Sequence, residues 1–452
     1  MTSTFFEIRG IAEAFYGVFY TAPERDDLIR FMGQHGYNFY LYGPKNDRQH
    51  RMRWREPYPA KIMRQFMQTI AVAQEAGVAF CYSLSPGVDM VYASQSEFDI
   101  ITAKFRAFYD IGVRDFSLLL DDIDNGFQHN EDRQRYKTYA EAHVDLCHRT
   151  YDWLMQLDPT VTFSMCPTDY HGSSPFTGYL HQLGAELRPE IDIYYTGIDI
   201  CSPMITTSDA ALFAEVAHRR PVLWDNYPVN DLSRSDTLQI GPVQGRDADL
   251  YKATRGILVN PMIQIEASKI PLSTYADYLN NPETYQPEEA WQRALEQVTD
   301  SESANAVRLF AENSLSTIFG TPEAPRLHML TEAAMQTVRR EDYGHDDVKA
   351  LERYLDELDE ATYHLKFRMD NLALRNNLLP WIEKLEYWFW TARFALRVLR
   401  ALQNGGSYEH PLNMMKEFRQ NALNSPRRIG GRYVEPLADY ALEKVQQREL
   451  VR

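Results

Sequence analysis

The first 260 residues alternate short apolar runs with longer stretches whose apolar positions recur every three or four residues. Short unbroken apolar runs suit strands buried on both faces, and the three-to-four spacing lays one apolar stripe along a helix. The pattern predicts strands over 6–12, 38–42, 79–83, 115–120, 162–165, 192–195, 221–224 and 256–259. Helices are predicted over 24–35, 59–75, 95–110, 132–157 and 207–217, with a further one near 247–254. Eight short strands separated mainly by helices imply an α/β fold, a (β/α)8 TIM-like barrel. A doubly wound open sheet would place a glycine-rich phosphate turn after its first strand. The stretch Gly10-Ile-Ala-Glu-Ala-Phe-Tyr-Gly17 lacks that turn and instead reads as pocket wall at a barrel mouth.

From about Leu272 the texture changes. Residues 275–289 read as a loop into a helix that includes 290–298, and 301–314, 325–339, 345–358 and 363–379 are helix-like. Ile382, Leu385, Phe389, Ala392, Leu396, Leu399 and Leu402 then form one apolar stripe, which Gly405-Gly406 ends. Residues 407–432 are expected to be a loop. The predicted organisation is therefore a catalytic barrel over 1–275 and a C-terminal helical bundle over 276–452. Trp381, Trp388 and Trp390 would suit sugar stacking, but at helical spacing they are expected in the core or at an interface. The 382–402 stripe is expected to be buried within one chain or at the seam of a homodimer.

Composition narrows the classes of function. A chain of 452 residues with 44% hydrophobic and 24% charged residues is globular and long enough for a large domain and a smaller one. Its formal charge of −16 disfavours nucleic acid and anionic lipid as partners. The cysteines, Cys81, Cys147, Cys166 and Cys201, make no metal-like cluster, so reduced thiols and no metal are expected. Neither a secretory signal nor a separate domain ahead of the barrel is expected, and no stretch is apolar enough to span a bilayer; a cytoplasmic location is expected.

On a barrel, loops following the strands share one rim. That rim would gather Glu13, Phe15 and Tyr16; Lys45, Asn46 and Asp47; Asp121 and Asp122; Asp169 and Tyr170; Tyr195; Trp224, Asp225, Asn226 and Asp231; and Asn260. Carboxylates, amides, a lysine and aromatic rings are the groups that hold a sugar. Asp121 and Asp122 close the apolar run Leu118-Leu119-Leu120, and two nearby carboxyls can hold unlike protonation states, one ionised and one ready to donate. Consecutive strand residues diverge, which suits poorly the carboxyl pair of a standard retaining glycosidase, about 5 to 5.5 Å apart. A nucleophile supplied by the substrate, the 2-acetamido oxygen of an N-acetylhexosamine, removes that difficulty.

The chain resembles glycoside hydrolase family 84, the β-N-acetylglucosaminidases that include protein O-GlcNAcases and bacterial relatives. The resemblance runs through Gly10-Ile-Ala-Glu-Ala-Phe-Tyr-Gly17, Gly43-Pro44-Lys45-Asn46-Asp47, Arg53-Trp-Arg-Glu-Pro-Tyr58, Ser85-Pro86-Gly87, Leu120-Asp121-Asp122-Ile123, Cys166-Pro-Thr-Asp-Tyr170, Trp224-Asp225-Asn226 through Asn230-Asp231, and Gly256-Ile-Leu-Val-Asn260-Pro261. It implies retaining hydrolysis through an oxazoline intermediate without metal or organic cofactor. Asp121 would orient the acetamido group, Asp122 would act as acid and then base, and Tyr170 would support the acetamide. Gly10, Lys45, Tyr195, Asn226, Asp231 and Asn260 would line the sugar pocket. Ala14 stands where the family commonly has glycine, and Tyr195 where it commonly has tryptophan. The implied substrate is a GlcNAc-bearing glycopeptide, glycoprotein or small glycoside. A non-catalytic GlcNAc-binding protein and an enzyme for cell-wall or host glycans are the alternatives.

Overall fold

The computed structural model describes residues 5–314, 317–320 and 322–451. Eight parallel strands, β1 Ile8–Glu13, β2 Phe39–Tyr42, β3 Ala79–Leu84, β4 Asp115–Leu119, β5 Thr162–Cys166, β6 Asp192–Tyr195, β7 Val222–Asp225 and β8 Gly256–Val259, close into a barrel in chain order. Every predicted strand is present, and the closure of β1 on β8 through Gly10 and Leu258 excludes the open sheet.

Alternate residues of the strands fill the lumen. Ala12, Leu41, Cys81, Leu119, Cys166, Tyr194, Val222, Trp224 and Leu258 form one buried cluster. Gly10 sits in this layer, where a Cβ would lie 2.4 Å from Leu258 Cδ2 and 2.8 Å from the Phe39 carbonyl oxygen. The position requires glycine for close approach of the barrel wall.

Helices Ala22–Gln34, Ala60–Glu75, Gln95–Asp110 and Thr207–Ala217 agree with the spacing. Their starts are locally encoded: Thr21 and Glu24 form a capping box, and Ser94 and Thr206 accept from backbone amides three residues on. The single helix expected over 132–157 is two, Asn130–Arg135 and Tyr139–Leu157, because Thr138 caps the second through the Glu141 amide. Near 247–254 there is only a short 3-10 turn, Leu250–Lys252. Helix Gly178–Glu186 was not anticipated from the spacing.

The chain divides into two compact units, Met1–Leu232 with Val243–Ile265 and Leu272–Pro287, and Ser233–Pro242 with Glu266–Pro271 and Glu288–Arg452. The expected boundary at 275 falls inside helix Ile265–Asn280, in a stretch read as loop. Ala267, Ile270, Leu272, Tyr275, Ala276, Tyr278 and Leu279 are buried there, and Pro271 lies in the helix interior, where a proline ordinarily reads as a break.

In the second unit helix Leu372–Gln403 packs against Asp346–Phe367, Glu409–Asn424 and Glu435–Val451. Ile382, Leu385, Phe389, Ala392, Leu396 and Leu399 of the stripe are buried within this single chain. Trp381 and Trp388 are core residues, while Trp390 is half-buried and stacks on Phe418. The helix expected over 363–379 is interrupted: Asp346–Phe367 ends, and Asn371 starts the next helix by accepting from the Leu374 amide. Helix Glu409–Asn424 replaces most of the expected loop; Pro411 sits in its first turn, where a missing N–H costs nothing. Among the described residues no helix is long and apolar enough to cross a membrane. No group of three His, Cys, Asp or Glu is placed among them to hold a metal ion.

Candidate active site

Strand parity decides which rim residues enter the mouth. Asp121, Asn226 and Asn260 lie two positions beyond the lumen residues Leu119, Trp224 and Leu258, and backbone bonds from Leu120 to Cys166 and from Asn260 to Asp225 carry the sheet spacing past the strand ends. Asp121 is buried, and one of its oxygens accepts from Lys45 Nζ at 2.5 Å. Its other oxygen is buried without a hydrogen-bond partner. Lys45, expected in the pocket, is buried with its ammonium on the Asp121 carboxylate.

Asp122 has the opposite parity, and plain strand geometry would send it away from the mouth. Its φ of +52° reverses the chain at that point. Both carboxylate oxygens accept tyrosine hydroxyls, Oδ1 from Tyr170 at 2.9 Å and Oδ2 from Tyr16 at 2.8 Å. Burial, and then the charge of Asp122, push both tyrosine hydroxyls well above their ordinary range, so both remain protonated donors. His50, in the same loop as Lys45, is pushed down to about 3 by burial and by the Lys45 charge, and stays neutral.

On the far side Asn226 Oδ1 accepts from Trp224 Nε1 at 3.1 Å and from Asn260 Nδ2 at 2.9 Å, while its own Nδ2 donates to the Ile200 carbonyl at 2.7 Å. These bonds set both amide orientations and leave Asn260 Oδ1 buried without a partner. Asp231 is buried and accepts from the Tyr16 backbone amide at 2.8 Å, tying the loop after β7 to the loop after β1.

Several residues expected on the rim serve the scaffold instead. Tyr195 does not present a face to the mouth: it is fully buried, stacks on Phe213 at 4.1 Å and donates to the Gly172 carbonyl. Its parity, opposite to Tyr194, directs it outward under helix Thr207–Ala217. Gly10 lies in the barrel wall, on β1 between Phe39 and Leu258. Asp47 accepts from Tyr42 and Tyr58, Asp169 from Thr177, and Asp225 is clamped by both arms of Arg246. Glu13 is buried behind the barrel and paired with Arg25 at 2.7 Å and 3.0 Å, with the Tyr20 amide and Tyr40 hydroxyl also donating. Glu13→Ala should cost about 3–5 kcal/mol in a denaturant titration, because Arg25 is left buried and unpaired. The folded fraction should keep its turnover; a catalytic loss without a stability loss would return Glu13 to the site.

Asp121, Lys45, Asp122, Tyr170, Asn226, Asp231 and Asn260 thus gather at one end of the lumen with Tyr16, expected on the rim and found to partner Asp122, and with Arg51, which motif reading passed over. Arg51 follows His50 in a polar loop, and nothing in its neighbours marks it. The family described as beta-N-acetylglucosaminidase, or NAGidase, matches residues 9–312, which spans the whole of this constellation. The chain belongs to that family, glycoside hydrolase family 84. Protein O-GlcNAcase of Rattus norvegicus and that of Mus musculus are each 33% identical over 277 residues, 60% of this chain. That match spans only 29% of the length of those relatives. An Asp-to-Asn mutant of the Thermobaculum terrenum O-GlcNAc hydrolase has a TM-score of 0.91 at 30% identity, covering 98% of this chain and 97% of that one. The solved structure of CpGH84B has a TM-score of 0.83 at 27% identity, over 97% of this chain and 77% of its own. Family membership thus bears out the resemblance read from the motifs, and it extends beyond the barrel into the first helices of the second unit.

Proposed function

We propose that this chain removes terminal β-linked N-acetylglucosamine from serine or threonine of proteins or peptides, retaining anomeric configuration through an oxazoline intermediate. The observation that carries the reading is the unlike presentation of two adjacent acids. Asp121 is paired with Lys45 and keeps one buried oxygen for a donor, which the acetamido N–H of the substrate would supply. Holding that N–H aims the acetamido oxygen at the anomeric carbon and offsets the positive charge that develops on the ring being formed.

Asp122 stands over the mouth. In the first half of the cycle its protonated form gives a proton to the departing oxygen, which requires one tyrosine hydroxyl to release it. In the second half its carboxylate takes a proton from the water that opens the intermediate, the state in which Tyr16 and Tyr170 both donate to it. Lys45, Asn226, Asp231 and Asn260 would meet the sugar's hydroxyls. The names of the relatives, protein O-GlcNAcase and O-GlcNAc hydrolase, support a serine- or threonine-linked substrate.

The test uses an aryl N-acetyl-β-glucosaminide and its analogue with hydroxyl in place of acetamide, followed by NMR of the first anomer released. The expected result is release from the acetamide alone, with the β-anomer formed first. Full turnover of the hydroxyl analogue, or initial α-anomer, would overturn the substrate-assisted route.

A further inference from the structure

We infer that Arg51 is a positioning residue for proton transfer: through the backbone of Asp121 and Asp122 it holds the Asp122 carboxyl over the barrel mouth. The inference rests on the proposed role of Asp122 and deepens it.

Arg51 is almost fully buried, and among the described residues no carboxylate lies within ion-pairing distance of it. Its fork instead donates to neutral oxygens: Nη2 to the Asp122 carbonyl at 2.6 Å, and Nη1 to Ser85 Oγ at 2.9 Å and, more weakly, the Asp121 carbonyl at 3.4 Å. A planar guanidinium can hold two carbonyls and a hydroxyl at once, which an ammonium cannot. These are the carbonyls of the two residues where the sheet ladder stops and the backbone reverses. The Leu120 carbonyl, just before them, is taken by Thr168 Oγ1.

The reversal is itself unfavourable. A non-glycine residue at φ +52° is destabilised by Cβ crowding and persists only where its surroundings impose it. Two loops impose it here. The Ser85 amide donates to the His50 carbonyl, which joins the loop after β3 to the loop carrying Arg51. Gly87 lies so close to the turn that a Cβ there would meet Ile123 Cδ1 at 2.7 Å. Arg51 is the polar half of this clamp and Gly87 the steric half. Without the guanidinium, the Asp122 carbonyl loses its donor and the turn can relax toward ordinary strand dihedrals, swinging the carboxyl away from Tyr16 and Tyr170.

Such an effect is selective, because the sugar-holding groups, Lys45, Asn226 and Asn260, are anchored by other bonds. The test compares Arg51→Met, Arg51→Lys and Ser85→Ala on methyl and 4-nitrophenyl N-acetyl-β-glucosaminide. Loss of a charge-assisted bond predicts a fall in kcat of about 10- to 100-fold for the methyl glycoside under Arg51→Met. The 4-nitrophenyl glycoside, whose leaving group needs little protonation, should lose less than about threefold in formation of the intermediate, read as the rate of the aryl burst. Arg51→Lys keeps the charge but not the fork and should fall between; Ser85→Ala should shift the ratio in the same direction by less, and carries the test alone if Arg51→Met does not fold. Equal losses on both substrates, or losses confined to KM or to melting temperature, would overturn the inference and leave Arg51 a structural residue. If the parent protein with Asp122→Asn shows no dependence on leaving group, the acid assignment itself fails, and this inference with it.

Discussion

Asp122→Asn should lower kcat/KM for a methyl glycoside or glycopeptide by about 100- to 10,000-fold while a 4-nitrophenyl glycoside loses about tenfold or less in formation of the intermediate. Asparagine keeps the shape and both tyrosine contacts are open to it, so the fold around the turn should survive; what disappears is the proton. Because the same group would later activate water, the activated substrate should show a burst of aryl release followed by slow turnover. Added azide should relieve the slow phase, since it attacks the intermediate without needing a base. Parallel losses on the two substrates, with no burst, would contradict Asp122 as acid and base.

Asp121→Asn should slow both substrates alike, by roughly 100- to 1,000-fold, because it weakens attack by the acetamide rather than departure of the aglycone. The structure adds a second expectation. Lys45 is buried with its ammonium 2.5 Å from Asp121, and removal of that charge leaves a cation without its counter-ion. Melting temperature should therefore fall in Asp121→Asn more than in Asp122→Asn. Activity within about threefold of the parent on both glycosides would remove Asp121 from the proposed role.

The barrel was legible because its strands are buried on both faces and its helices are buried on one, so the two periods contrast sharply along the chain. Legibility failed where that contrast is lost. Helix Ile265–Asn280 carries Pro271 in its interior, which reads as a break, and the end of Asp346–Phe367 and the start of Leu372–Gln403 depend on a cap at Asn371 between two similar stretches. At the site, order along the chain placed Asp121, Asn226 and Asn260 correctly at one rim. It did not resolve side-chain direction, which turns on a single residue of parity: Tyr195, Glu13 and Asp225 end on the outer face of the sheet. Arg51 was invisible for a different reason, since two of its three partners are main-chain carbonyls, and any sequence could supply those.

The left-handed backbone at Asp122 also bears on how this site can be lost. Glycine adopts that conformation without the Cβ crowding that aspartate suffers, a difference of about 1 kcal/mol. A descendant with glycine at this position would abandon proton donation, keep the sugar-holding amides and Lys45, and exchange the two tyrosine hydrogen bonds for a relaxed turn. Relief of the backbone thus lowers the barrier to drift toward a silent carbohydrate receptor, while the tyrosine pair on the carboxylate opposes it.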